Sequence, residues 1–437
     1  MKLESSANQP KMQQRIMLRL ALGLFAVAAL LLGWTFLKKF IQNNGDTGHT
    51  DTAGWIVALR QTGSGEQAVA LKPDDTVLDS PDYPDGAIDR DVTWQPDGER
   101  IYFSSDREVG TKSLQISRWN PKGTVDQRSS GKLAQERPIF QEDGTITGDY
   151  KMLMIKAGVV VEFNPSDSVA HQLVPKVESS SPTKVAGEDP GGMGTQFGPE
   201  YEHLGGSFRE AHWCKNRKYI AGIMRGDEGE TLVVICLEPG PTPGPLSDGL
   251  PHGIVKGEHI DMAIDSRTGN VAYTVDDFRY VDTKNVPASM IKDGKLIKPF
   301  RNMIGFLNVE DFKGIVAVAA SSDAEHAFAE PQVSPDGAQI AFIEGADTAD
   351  GFKPQALYLT PFAVGQARSA KPLVGGALAS PSWSPDGQQI AYVVLDPDGH
   401  SDIAVVPAAG GTPKILTAGK GSFSSPHFSP MLPKPGS

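Results

Sequence analysis

Cysteine is nearly absent, with two residues in a chain of 437, which excludes a fold held together by a disulfide framework. The spacings that mark structural or catalytic metal centres are missing too: the nine histidines form no H-E-x-x-H or H-x-H, and there is no C-x-x-C. No G-x-S-x-G occurs, so the nucleophile elbow of an α/β-hydrolase is excluded. Basic charge is in deficit, 41 Lys and Arg against 53 Asp and Glu for a net charge of -12, which argues against binding nucleic acid through a general basic surface. Long apolar runs are missing with one exception.

The exception is Leu20 to Leu37, LALGLFAVAALLLGWTFL, 18 residues without a charge and long enough to cross a bilayer as a helix. Arg15 and Arg19 precede it, Lys38 and Lys39 follow, and Trp34 stands where an interfacial aromatic belongs. The expected organisation is a short cytoplasmic N-terminus (1–15), a transmembrane signal anchor (16–37), a polar tether (38–53) and an extracytoplasmic domain (54–437). A cleavable signal peptide is the alternative, with Ala26-Val27-Ala28 as the cleavage site.

What the chain has in abundance is turn chemistry, 47 Gly and 33 Pro. The stretch PSWSPDGQQIAYVV at Pro381 reads as strand, tight turn, strand: Pro385 presets φ, Asp386 and Gly387 supply the turn, and Ile390 to Val394 resume strand composition. The same register returns in VTWQPDGERIYFSSDR at Val92 and PQVSPDGAQIAFIEG at Pro331, and in weaker form in AHWCKNRKYIAGIM, MAIDSRTGNVAYTV, RPIFQEDGTI and SPHFSP. Seven starts fall at Trp94, Phe140, Trp213, Ile264, Val333, Trp383 and Phe428, 45 to 51 residues apart except for two gaps of about 70. Each full unit holds about four short strands. A four-stranded unit at this period is a propeller blade, so the expected fold is all-β, a β-propeller with seven blades favoured over six or eight. The long gaps predict insertions at 175–206 and 281–314, the second with a hairpin at KDGKLIKPF. An opening strand at Ser425 to Ser429 without a blade behind it, and strands at Trp55 to Arg60 and Ala68 to Leu71 without an opening strand, predict one blade built from both termini.

The units W-S-P-D-G-x-x-I-A-Y and YFSSDREVG resemble the propeller repeat of the TolB family, shared with prolyl oligopeptidases and dipeptidyl peptidases. The likeness covers roughly Trp55 to Pro430. It implies a β-propeller; with the expected anchor and no catalytic motif, the expected function is a membrane-anchored scaffold that binds a protein or peptide, or alternatively a glycan, without a cofactor and without catalysis. The family's separate N-terminal α/β domain has no counterpart, so membership of the TolB complex is not implied. The alternative is a propeller hydrolase or lyase with its site at the central channel mouth.

Candidate residues follow from the repeat. Cys214 and Cys236 fall on the first and third strands of one unit, about 10 Å apart at sheet spacing, which favours two buried thiols over a disulfide. Asp97-Gly98, Asp336-Gly337 and Asp386-Gly387 lack the ligand density of calcium loops and read as turns. His212 and His427 share one repeat position, as channel-side polar residues or a pair of ligands. Three residues before each aromatic position stand Asp91, Arg137, Glu210, Asp261, Glu330, Ser380 and Ser425. Opening strands line a propeller's channel, so this column predicts a largely acidic ring at one mouth, with Asp91, Arg137, Glu210, Asp261 and Glu330 as its binding residues.

Overall fold

The computed structural model describes residues 52–431 apart from 108–112, 131, 141–149, 166–167, 174–206, 216, 227–228, 238–250, 278–290, 293–294, 297–299, 321–325 and 364–370. The expected anchor at 16–37, its flank at 1–15, nearly all of the tether at 38–53 and the insertion at 175–206 lie outside the described residues.

Seven four-stranded antiparallel sheets follow one another along the chain. Blade 2 comprises Asp89–Trp94, Ile101–Ser105, Gln115–Trp119 and Val125–Gln127. Blade 3 comprises Gln135–Phe140, Met152–Lys156, Val159–Asn164 and Val169–Gln172, and blade 4 Ser207–Cys214, Tyr219–Gly226, Gly229–Cys236 and His252–Gly257. Blade 5 is Ile260–Asp265, Asn270–Asp277, Phe300–Asn308 and Asp311–Ala320. Blade 6 is Ala327–Val333, Gln339–Thr348, Gly351–Pro361 and Val374–Gly375, and blade 7 is Leu378–Trp383, Gln389–Leu395, Ser401–Pro407 and Lys414–Ile415. The first strand of each blade touches the first strands of both neighbours, and the circuit closes on itself. This is a seven-bladed β-propeller.

Blade 1 is the closure. Its inner strand, Phe423–Phe428, comes from the C-terminal end of the chain and pairs with Ile56–Thr62, which is followed by Gly65–Leu71 and Val77–Asp79. Thr52 secures the seam: its hydroxyl donates to the Gly98 carbonyl at 2.9 Å and shares a hydrogen bond with Ser429 Oγ at 3.0 Å. Met431 then packs over the blade 2 turn. A Cβ on Gly98, at φ 68, would meet the Met431 Cγ at 2.3 Å, so the residue that makes the Asp-Gly turn also makes room for the chain end.

The core is divided among the blade interfaces rather than gathered in one place. Successive residues of a strand face opposite ways, and here both ways lead to a neighbouring blade. Ile56 and Ala58 pack toward blade 7, whereas Val57 and Leu59 pack toward blade 2. Seven buried apolar clusters correspond to the seven interfaces. Burial on both faces explains why strands such as LVVIC read as unbroken apolar runs instead of alternating ones.

The recurring x-P-D-G turn has one geometry. In blades 6 and 7 the Asp336 and Asp386 carboxylates each accept from the Ser two residues earlier at 2.6 Å and from the amide two residues later at 3.0 Å. Gly337 and Gly387 sit at φ 72 and 68, in the left-handed region. These aspartates are turn formers.

One boundary moves. The stretch 281–314, expected as an insertion, includes the third strand of blade 5 and the beginning of its fourth, Phe300–Asn308 and Asp311–Ala320. The KDGKLIKPF hairpin is present, pairing Ile291–Lys292 with Lys295–Leu296. The two strands that follow it carry no x-P-D-G turn in the repeat's register, so the sequence pattern does not mark where the blade resumes. Cys214 and Cys236 fall on the first and third strands of blade 4 and are buried, with no disulfide between them.

Candidate functional site: the channel mouth

The column of residues three before each aromatic falls on the inner strands, and most of it marks a bulge. Five of its seven members, Asp91, Arg137, Glu330, Ser380 and Ser425, adopt φ between 50 and 55, a conformation that costs a non-glycine residue about 1–2 kcal/mol. The strand register shifts at each of these positions. In four of the five a proline follows: Pro138, Pro331, Pro381 and Pro426. A proline suits a bulged residue, which has no ladder partner for an amide. Blade 5 runs in regular register through Asp261, and blade 4 shifts one residue early, at Arg209.

The left-handed turn carries out a specific task at three blade junctions, where a carboxylate of one blade accepts the column amide of the next. Asp91 Oδ2 accepts from Arg137 N at 3.3 Å, Asp261 Oδ2 accepts from Glu330 N at 3.1 Å, and Glu330 Oε2 accepts from Ser380 N. Asp91 and Asp261 also accept from the second-strand hydroxyls of Ser104 and Thr274 at 2.9 and 3.3 Å. The acidic column is therefore a set of inter-blade staples as well as a source of charge.

Glu210 differs. It makes no such bond to blade 5; its Oε1 lies 2.7 Å from His212 Nε2, and its Oε2 lies 3.6 Å from Arg209 and 3.9 Å from Arg137. Burial pushes the Glu210 carboxyl up, but the His212 hydrogen bond and the charges of His212, Arg209 and Arg137 outweigh it and hold it below the usual carboxylate range. Asp261 is held in parallel by His259 Nε2 at 2.9 Å. Arg137, the column's one cation, lies 4.0 Å from Asp91 and 3.9 Å from Glu210, bridging blades 2 and 4 from blade 3.

A cavity of about 270 Å³ opens at this mouth. Blades 4, 5 and 6 supply it with Glu210, Asp261 and Glu330, and blades 7 and 1 with Ser380, Ser425 and His427. Of the expected binding residues, the structure thus brings Glu210, Asp261 and Glu330 together. Asp91 and Arg137 belong to the same column but do not line the cavity. The His427 side chain is open to the channel yet surrounded by protein atoms, and this desolvation pushes its pKa down to about 4. Its ring makes no hydrogen bond within the protein among the described residues, whereas its backbone carbonyl accepts from Trp94 Nε1 at 3.1 Å. Among the described residues no three His, Cys, Asp or Glu side chains are grouped so as to hold a metal ion.

The sequence reading did not single out the prolines that follow the column, although their recurrence beside it was a visible signal. Nor did it find the buried clamp of blade 4, where Glu230 accepts from Ile260 N at 2.9 Å and pairs with Arg209 and Arg225, each at 2.9 Å. Glu230 lies on a third strand, which the repeat alignment did not reach.

The fold and channel define a seven-bladed propeller with a charged, preformed mouth. Solved structures similar to it include an oligogalacturonate lyase in complex with manganese, 11% identical over 83% of this chain and 85% of that one with a TM-score of 0.50. TolB from Acinetobacter baumannii is 12% identical over 86% and 83%, with a TM-score of 0.43. A prolyl endopeptidase is 10% identical with a TM-score of 0.49, the match covering 84% of this chain and 48% of that one. No family model matches the sequence, and no curated protein is similar to it. At such identities the likeness is one of fold.

Proposed function

We propose that this protein is a non-catalytic binding scaffold of the cell envelope, a TolB-like propeller tethered to the membrane through 16–37 that receives a protein or peptide partner at its channel mouth. The observation that carries the reading is the engagement of the mouth's carboxylates. Asp91, Asp261 and Glu330 hold the adjacent blades, and Glu210 is kept ionised between His212, Arg209 and Arg137. Such an arrangement gives a rigid, preorganised surface of fixed charge, whereas general acid catalysis needs a carboxyl whose proton is held near the working pH. The excess of acidic residues supports a protein rather than a nucleic-acid partner.

A second reading has its own observation. His427, its pKa pushed down to about 4, lines a cavity with three carboxylates, a composition that suits a hydrolase or lyase site, and an oligogalacturonate lyase in complex with manganese is among the similar folds. Crosslinking on intact membranes followed by capture of the full chain separates the two. Recovery of one reproducible partner protein supports the scaffold; turnover of oligosaccharide or peptide substrates by the purified chain, lost in His427→Gln, overturns it.

A further inference from the structure

We draw no further inference here: the strongest candidate, the outer edge of blade 5 along the ten-residue strand Asp311–Ala320, pairs on one side with Phe300–Asn308 and with no second strand among the described residues, and nothing in the structure shows what covers it.

Discussion

The tryptophans that stand at the repeat's aromatic position in blades 2 and 7 are blade-to-blade ties, and the tryptophan at the same position in blade 4 gives a sharp test. Trp94 of blade 2 donates to the His427 carbonyl of blade 1, and Trp383 of blade 7 donates to the Gln332 carbonyl of blade 6, both at 3.1 Å. Each acceptor lies two residues after the column position of the preceding blade. Trp213 of blade 4 occupies the same repeat position, but its indole N–H is buried and has no partner among the described residues. Trp94 and Trp213 are similarly enclosed, at 5% and 3% exposure, so replacing either with Phe removes comparable apolar contact. The polar consequences have opposite sign. Trp94→Phe loses a hydrogen bond worth about 0.5–1.5 kcal/mol and strips a partner from a carbonyl, whereas Trp213→Phe removes an unsatisfied donor whose burial costs about 1–3 kcal/mol. Trp94→Phe should therefore be the more destabilising by about 2–4 kcal/mol. Urea unfolding with unchanged m-values would read this as a much lower midpoint for Trp94→Phe. Equal midpoints would show that the tie carries no energy and that the repeat selects tryptophan for bulk alone.

Other outcomes follow from the same geometry. Deleting 423–437 removes the inner strand of blade 1, with Phe423 only 1% exposed, and should abolish the cooperative thermal transition; an unchanged melting temperature would refute the closure. His427 has its folded pKa lowered to about 4 from 6.5, so the unfolded chain binds the extra proton between those values. That contribution is complete above pH 6.5 and is lost as pH falls toward 4; His427→Gln should flatten the dependence of melting temperature on pH in this window. Burial pushes the Cys214 thiol up to about 12, so the native protein should leave it unmodified by a neutral-pH thiol reagent until denaturant is added. Rapid labelling of Cys214 in the native state would contradict its placement.

How much of this was legible depended on what the repeat could carry. The x-P-D-G turn, the opening strand and the period between Trp94, Val333 and Trp383 are local, so they favoured seven blades over six or eight and pointed to the shared terminal blade and the strands that bear Cys214 and Cys236. The end of the insertion near 281–314 was not legible, because the strands Phe300–Asn308 and Asp311–Ala320 pair only after a hairpin has intervened and carry no turn signal in the repeat's register. At the channel, alignment brought the right residues into one column but could not assign their work. Asp91, Glu210, Asp261 and Glu330 look equivalent in sequence. In the structure three of them accept an amide from the next blade and Glu210 does not, a difference that arises where blade 4 bulges at Arg209 instead of at its column residue.

That difference changes what a charge-removing experiment at the mouth means. Replacing all four carboxylates by Asn or Gln keeps an acceptor oxygen at the three staples but removes the charge that strengthens each bond, roughly halving a contribution of about 1.5–3 kcal/mol apiece. A loss of partner binding in the quadruple variant would then mix weakened blade junctions with a lost potential. Glu210→Gln comes closer to separating them, since Glu210 lines the cavity and accepts no amide from the next blade, its one inter-blade polar contact among the described residues being the 3.9 Å ion pair with Arg137. It should weaken a cationic partner while shifting the urea midpoint little, and Asp91→Asn, which lies outside the cavity, should do the reverse. If both variants lower binding and stability in proportion, the mouth acts only through the integrity of the ring, and partner recognition belongs to other surfaces of the propeller.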